Sequence, residues 1–75
     1  MNNFEFVYTS IKYNNNMPSE SRMRDAIKEI ETNVEKLKEL KEVLFEYADT
    51  DDSIKILLSN IWYNEVNSIL FDLIF

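Results

Sequence analysis

The residues best placed to bind a metal are Asp49, Asp51, Asp52 and Ser53, in the run DTDDS. Asp49, Asp51 and Ser53 have the spacing of the first, third and fifth ligands of a calcium-binding loop. Such a loop also needs Gly at its sixth position, for a sharp turn, and a bidentate Glu at its twelfth. Ile54 and Asn60 stand there instead, so the calcium reading fails. Helix capping explains the run: Thr50 or Asp51 accepts from the first free N–H groups, and Asp52 suits the positive end of the helix dipole. Neither a metal nor a cofactor is expected.

Other chemistries are short of residues. The chain has no His and no Cys, which removes the commonest general base, thiolate ligands and disulfides together. It also has no Gly, and phosphate-cradling loops, dinucleotide turns and nucleophile elbows depend on Gly backbone freedom. No Ser stands in a nucleophile motif. The expectation is a non-enzyme with no catalytic residues.

Net charge is −6 with a pI near 4.5, so the chain as a whole repels phosphate backbones and direct nucleic-acid binding is not expected. The cations available to an anionic ligand are Arg22, Arg24 and Lys28, with Glu20 and Asp25 as nearby partners. The run EIETNVEKLKELKE reads as a solvated face, because Lys36, Lys38 and Lys41 interrupt any mimicry of nucleic-acid phosphates.

What must position these residues is a set of helices. Absence of Gly argues against tight hairpins and hence against an all-β fold. The fold class expected is all-α: a long helical hairpin over about 18–48 and 52–75, assembling into an oligomeric helical bundle. Within one domain over 1–75, the divisions are an arm (1–16), a long helix (17–48), a turn (49–52) and an apolar C-terminal helix (53–75). In the arm, Phe4, Val7, Tyr8 and Ile11 fall on one face of a helix, while Phe4, Phe6 and Tyr8 alternate as in a strand. A short helix and an extended arm both remain open. Asn14, Asn15 and Asn16 end the arm, replacing Gly as turn formers.

In the long helix Pro18 belongs to the first turn, with Ser19 or Met17 as cap. Met23, Ile27, Ile30, Val34 and Leu37 form a seam that continues, after one slip in phase, through Leu40, Leu44 and Tyr47. Such a helix would run about 45 Å, more than a compact monomer of this size needs, so a second chain is expected along it.

In the last helix two stripes emerge at a hundred degrees per residue. Ile54, Leu57, Leu58, Ile61, Trp62, Val66, Ile69 and Leu73 form the main one, expected to meet the long helix through Leu58, Trp62, Ile69 and Leu73. Ile56, Tyr63, Leu70 and Ile74 are left over. The partner or oligomer interface is therefore expected at Phe45, Ile56, Tyr63, Leu70, Phe71, Ile74 and Phe75. Charged and Asn residues interrupt the helix too often for membrane insertion, and its polar face is not basic enough to lie on a membrane.

Asn, Ile, Lys, Phe and Tyr are plentiful, whereas Gly, Ala, Pro and Arg together number five. That bias suits AT-rich coding, as in a low-GC bacterium, its phage or a mobile element. The function expected is a small acidic interaction module. Its most concrete version is a homo-oligomeric phage or mobile-element inhibitor that binds a host or defence protein. The alternatives are an oligomeric sponge for a cyclic nucleotide signal, using Arg22, Arg24 and Lys28, and an antitoxin-like or structural subunit. No secretory signal is visible in 1–16, and the compartment expected is the cytoplasm, that of the host if phage-encoded.

Overall fold

Four capping side chains set where the helices begin. In a computed structural model that describes all 75 residues, Asn2 accepts a hydrogen bond from the Glu5 N–H at 2.8 Å and starts α1, Asn3–Asn14. Ser19 accepts from Arg22 at 3.4 Å and starts α2, Glu20–Ile30. Asn33 accepts from Lys36 at 3.1 Å and starts α3, Val34–Tyr47. Asp52 accepts from Ile54 and Lys55 at 3.0 and 3.3 Å and starts α4, Ser53–Ile74. Thr50 does not cap α4 itself; its hydroxyl accepts from the Asp52 N–H at 3.2 Å and orients the residue that does. The protein is all-helical, without strands. The arm resolves to its helical alternative, with Phe4, Val7 and Ile11 buried.

One long helix over 17–48 is not what forms. The chain breaks at Glu31–Asn33 into α2 and α3. Asn33 takes extended angles (φ −105°, ψ 98°), and its N–H donates to the Ile30 carbonyl at 2.8 Å. The break is inexpensive, since Thr32 and Asn33 are mediocre helix formers and the Asn33 cap returns about 1 kcal/mol. Its benefit is tertiary: α1 packs on both α2 and α3, burying Phe4, Val7 and Ile11 with Ile30 and Leu37. The break also removes the geometric reason for a second chain. The radius of gyration is 11.4 Å, against about 11 Å for a lone domain of this length. The surface is 4931 Å², against about 4,900 Å² for a monomer of this mass.

Asn15 closes α1 in the left-handed region (φ 50°, ψ 43°), and the Asn16 N–H reaches back to the Ser10 carbonyl at 3.0 Å. This is the αL stop that Gly usually supplies. Glu29 of α2 joins the other end of α1, its carboxylate accepting from the N–H groups of Asn3 and Phe4 at 3.3 and 3.4 Å. A negative charge at a helix N-terminus is favourable, so α1 is tied down at both ends.

The hub is α3, which packs against each of the other helices. Leu37, Leu40 and Leu44 on α3 are fully enclosed, as are Met23, Val7 and Val66 around them. The helix α4 meets this core along a narrow strip, Ser59, Trp62, Val66 and Leu70. Ser59 is buried and its hydroxyl donates to the Leu44 carbonyl, so a small side chain of α4 sits directly against the α3 backbone. No helix is long and apolar enough to cross a membrane.

Candidate protein-interaction surface

Because α4 buries only that strip, much of its apolar surface stays outside. Ile54, Leu57, Leu58 and Ile61 keep 68%, 60%, 36% and 50% of their surface exposed. Their spacing of i, i+3, i+4 and i+7 gathers them on one face over two turns. Of the main stripe expected from the sequence, only Trp62 and Val66 are therefore buried. Of Leu58, Trp62, Ile69 and Leu73, only Trp62 is buried; Ile69 is half-buried, and Leu58 and Leu73 are exposed. Leu70, counted among the left-over residues, is in the core instead.

Beside this face, Leu58, Ile61 and Trp62 enclose a hollow of about 250 Å³ with Met17 and Pro18 of the α1–α2 turn. Glu20 and Arg24 stand on its rim. The Arg24 guanidinium pairs with Glu20 at 3.1 Å and with Glu65 of α4 at 3.2 Å, and lies 5.2 Å from the centre of the Trp62 ring. The hydrogen bond to Glu20, then the charge of Glu65, hold the Arg24 proton more firmly than usual. These groups are exposed, so the network contributes little stability. Its consequence is positional, because it leaves this cation already neutralised.

A second concavity, about 350 Å³, lies between α3 and α4 and is lined by Lys38, Lys41, Glu42, Phe45, Tyr63 and Leu70. Phe45 is 71% exposed and also borders two further hollows. Its ring centre is 6.4 Å from that of the half-buried Tyr63, over which Lys41 Nζ sits at 5.5 Å. At the C-terminal end Phe71 and Phe75 pair at 4.7 Å and are exposed, as is Ile74.

The residues expected at an interface are thus divided. Phe45, Tyr63 and Leu70 meet in one cleft, with Leu70 as its buried floor. Ile56 is half-buried, while Phe71, Ile74 and Phe75 form a separate apolar end. The cations Arg22, Arg24 and Lys28 are not gathered into one pocket. Arg22 stacks over Phe6 at 4.1 Å, while Arg24, paired with Glu20 and Glu65, and Lys28 line one hollow together with Glu31 and Glu65. No three carboxylates converge as a metal site.

The face at Ile54, Leu57, Leu58 and Ile61 was not legible as free surface. Ser59 does not mark the buried side on its own, since Ser53 and Ser68 on the same helix are exposed. No protein-family model matches the chain, and neither a curated protein nor a solved structure matches it.

Proposed function

We propose that the protein works by binding another protein through the outward face of α4. The observation that carries this reading is the exposure of Ile54, Leu57, Leu58 and Ile61 together on two successive turns. Their exposed fractions amount to about two whole residues, on the order of 400 Å² if a large apolar residue carries roughly 200 Å². A contiguous patch of that size is at the scale of the largest on a typical monomer, and such patches are often functional. Nothing in the packing of α1–α3 requires four large aliphatic side chains there, since the core closes without them.

The most concrete version is an inhibitor carried by a phage or mobile element, with a host or defence protein as its target. Small size, acidic charge and the AT-rich residue bias support it. An antitoxin-like subunit would use the same face. A sponge for cyclic nucleotides would draw on Arg24 and Lys28, which share a hollow with Glu31 and Glu65, while Arg22 stacks over Phe6.

Affinity capture from the lysate of a low-GC bacterium tests the reading. A specific protein retained by the wild-type chain and released by Ile61→Asp, with the helical circular dichroism unchanged, is the result expected. Identical retention profiles for the two chains would overturn it.

A further inference from the structure

We infer that the occupant of the α4 face is a basic amphipathic helix of a different protein, its apolar stripe on Ile54, Leu57, Leu58 and Ile61 and its Lys or Arg flanks against the acidic rim. The inference rests on the interaction reading above and specifies the partner's chemistry.

Charge is the first argument. The groups around the face are Asp51 and Asp52 ahead of Ile54, Glu20 across the hollow and Glu65 one turn beyond Ile61, with one cation, Lys55, beside Ile54 and drawn toward the Tyr47 ring of α3 at 5.5 Å. The one cation lining the hollow, Arg24, is shared between Glu20 and Glu65, so that cluster keeps one net negative charge. An apolar strip within an acidic border, on a chain of net charge −6, is complementary to an apolar strip with basic borders. The same border disfavours anionic membrane surfaces, which attract basic helices.

Shape is the second. The ridge on α4 is two turns long and the Met17–Pro18 turn runs beside it, leaving the hollow of about 250 Å³ between them. That hollow accepts one large apolar side chain, and the ridge accepts its neighbours at i+3 or i+4 and i+7, as in helix-in-groove recognition. Main-chain pairing with an extended peptide needs a sheet edge, and a four-helix protein without strands has none.

A second copy of this chain fits poorly. It would bring the same acidic border against itself, and on the order of 400 Å² a side is half the roughly 800 Å² of a standard stable interface. An area this small suits a transient contact whose affinity depends on charge steering.

The test uses two synthetic amphipathic helical peptides with the same Leu stripe, one flanked by Lys and one by Glu. Binding is followed by Trp62 fluorescence and methyl NMR of the full chain. The Lys-flanked peptide is expected to bind at least tenfold more tightly at low salt, to shift the Leu58 and Ile61 methyl signals, and to lose that advantage as salt rises. Ile61→Ser is expected to weaken it about tenfold, and Glu20→Gln to narrow the preference. Equal binding of the two peptides, methyl shifts confined to Leu70 in the cleft between α3 and α4, or self-association abolished by Ile61→Ser would each overturn the inference. If neither peptide binds while Ile61→Asp still releases a lysate protein, the basic-helix inference falls and the interaction reading stands. If the lysate profile is also unchanged, both fall.

Discussion

Val66 and Leu57 lie on the same helix and separate the two faces of α4 energetically. Val66 is fully buried, whereas Leu57 is 60% exposed. Val66→Ala removes two methyl groups from an enclosed site, at about 0.8 kcal/mol each for transfer. The cavity left behind brings the total to about 2–3 kcal/mol. Leu57→Ala removes a larger side chain from a site that is mostly solvated already, so the cost is about 0.5 kcal/mol, in the range of ordinary surface substitutions. The stability of a domain this size is about 4–11 kcal/mol, which makes the contrast easy to read. Urea unfolding followed by Trp62 fluorescence and circular dichroism provides the assay, with the slope m unchanged in both variants. A Leu57→Ala cost above about 2 kcal/mol, with Val66→Ala near neutral, would refute the reasoning, because cavity costs of that size belong to core sites. It would place Leu57 in the core and the exposed face elsewhere.

Other perturbations test how the helices are held. Ser59→Ala should cost about 1 kcal/mol through the lost donation to the Leu44 carbonyl, and Ser59→Leu more, because overpacking forces α4 away from α3; chemical denaturation distinguishes them. Asn15→Gly should be neutral or stabilising by up to about 1 kcal/mol, while Asn15→Val should destabilise by about 1–2 kcal/mol, since φ is 50° there and a β-branched residue resists it. Lys12 Nζ donates to the Tyr8 hydroxyl at 3.0 Å, and that hydrogen bond, then the nearby Tyr13, raise the lysine's pKa above its usual 10.5. A raised pKa means that the protonated lysine favours the folded state below the unfolded value, and that this preference is lost as pH rises through the folded value. NMR titration should find Lys12 deprotonating at a higher pH than the ordinary lysine value, and Tyr8→Phe should lower it.

How much of this was legible depended on which force decided each feature. Local chemistry was partly readable: Ser19 caps α2 as its type and place suggest, whereas the cap of α4 is Asp52 rather than Thr50 or Asp51, and Asn15 adopts the backbone that three consecutive Asn residues suggested. All-helical character followed from periodicity and the absence of Gly. The break at Glu31–Asn33 was hidden because Ile30, Val34 and Leu37 keep helical spacing across it. The seam shows its phase slip only later, at Leu37–Leu40. What decides the break is tertiary, the chance for α1 to pack on α2 and α3 together, and a single helix wheel carries no such information. The faces of α4 were misassigned for a related reason. Its apolar residues are distributed so widely that the wheel has no preferred direction, and Ser59 with Leu44 fixes the direction only once α3 is in place. In the candidate site, Phe45, Tyr63 and Leu70 do come together, although the large exposed face lies elsewhere.

The central claim is that the protein meets its partner through the outward face of α4, and the two apolar surfaces can be compared directly. Partner retained from lysate is measured for Ile61→Asp and Phe45→Asp, both at exposed positions and both adding one negative charge. At least a tenfold loss is expected for Ile61→Asp and near-full retention for Phe45→Asp. Loss with Phe45→Asp and retention with Ile61→Asp would contradict it and move the binding site to the cleft between α3 and α4.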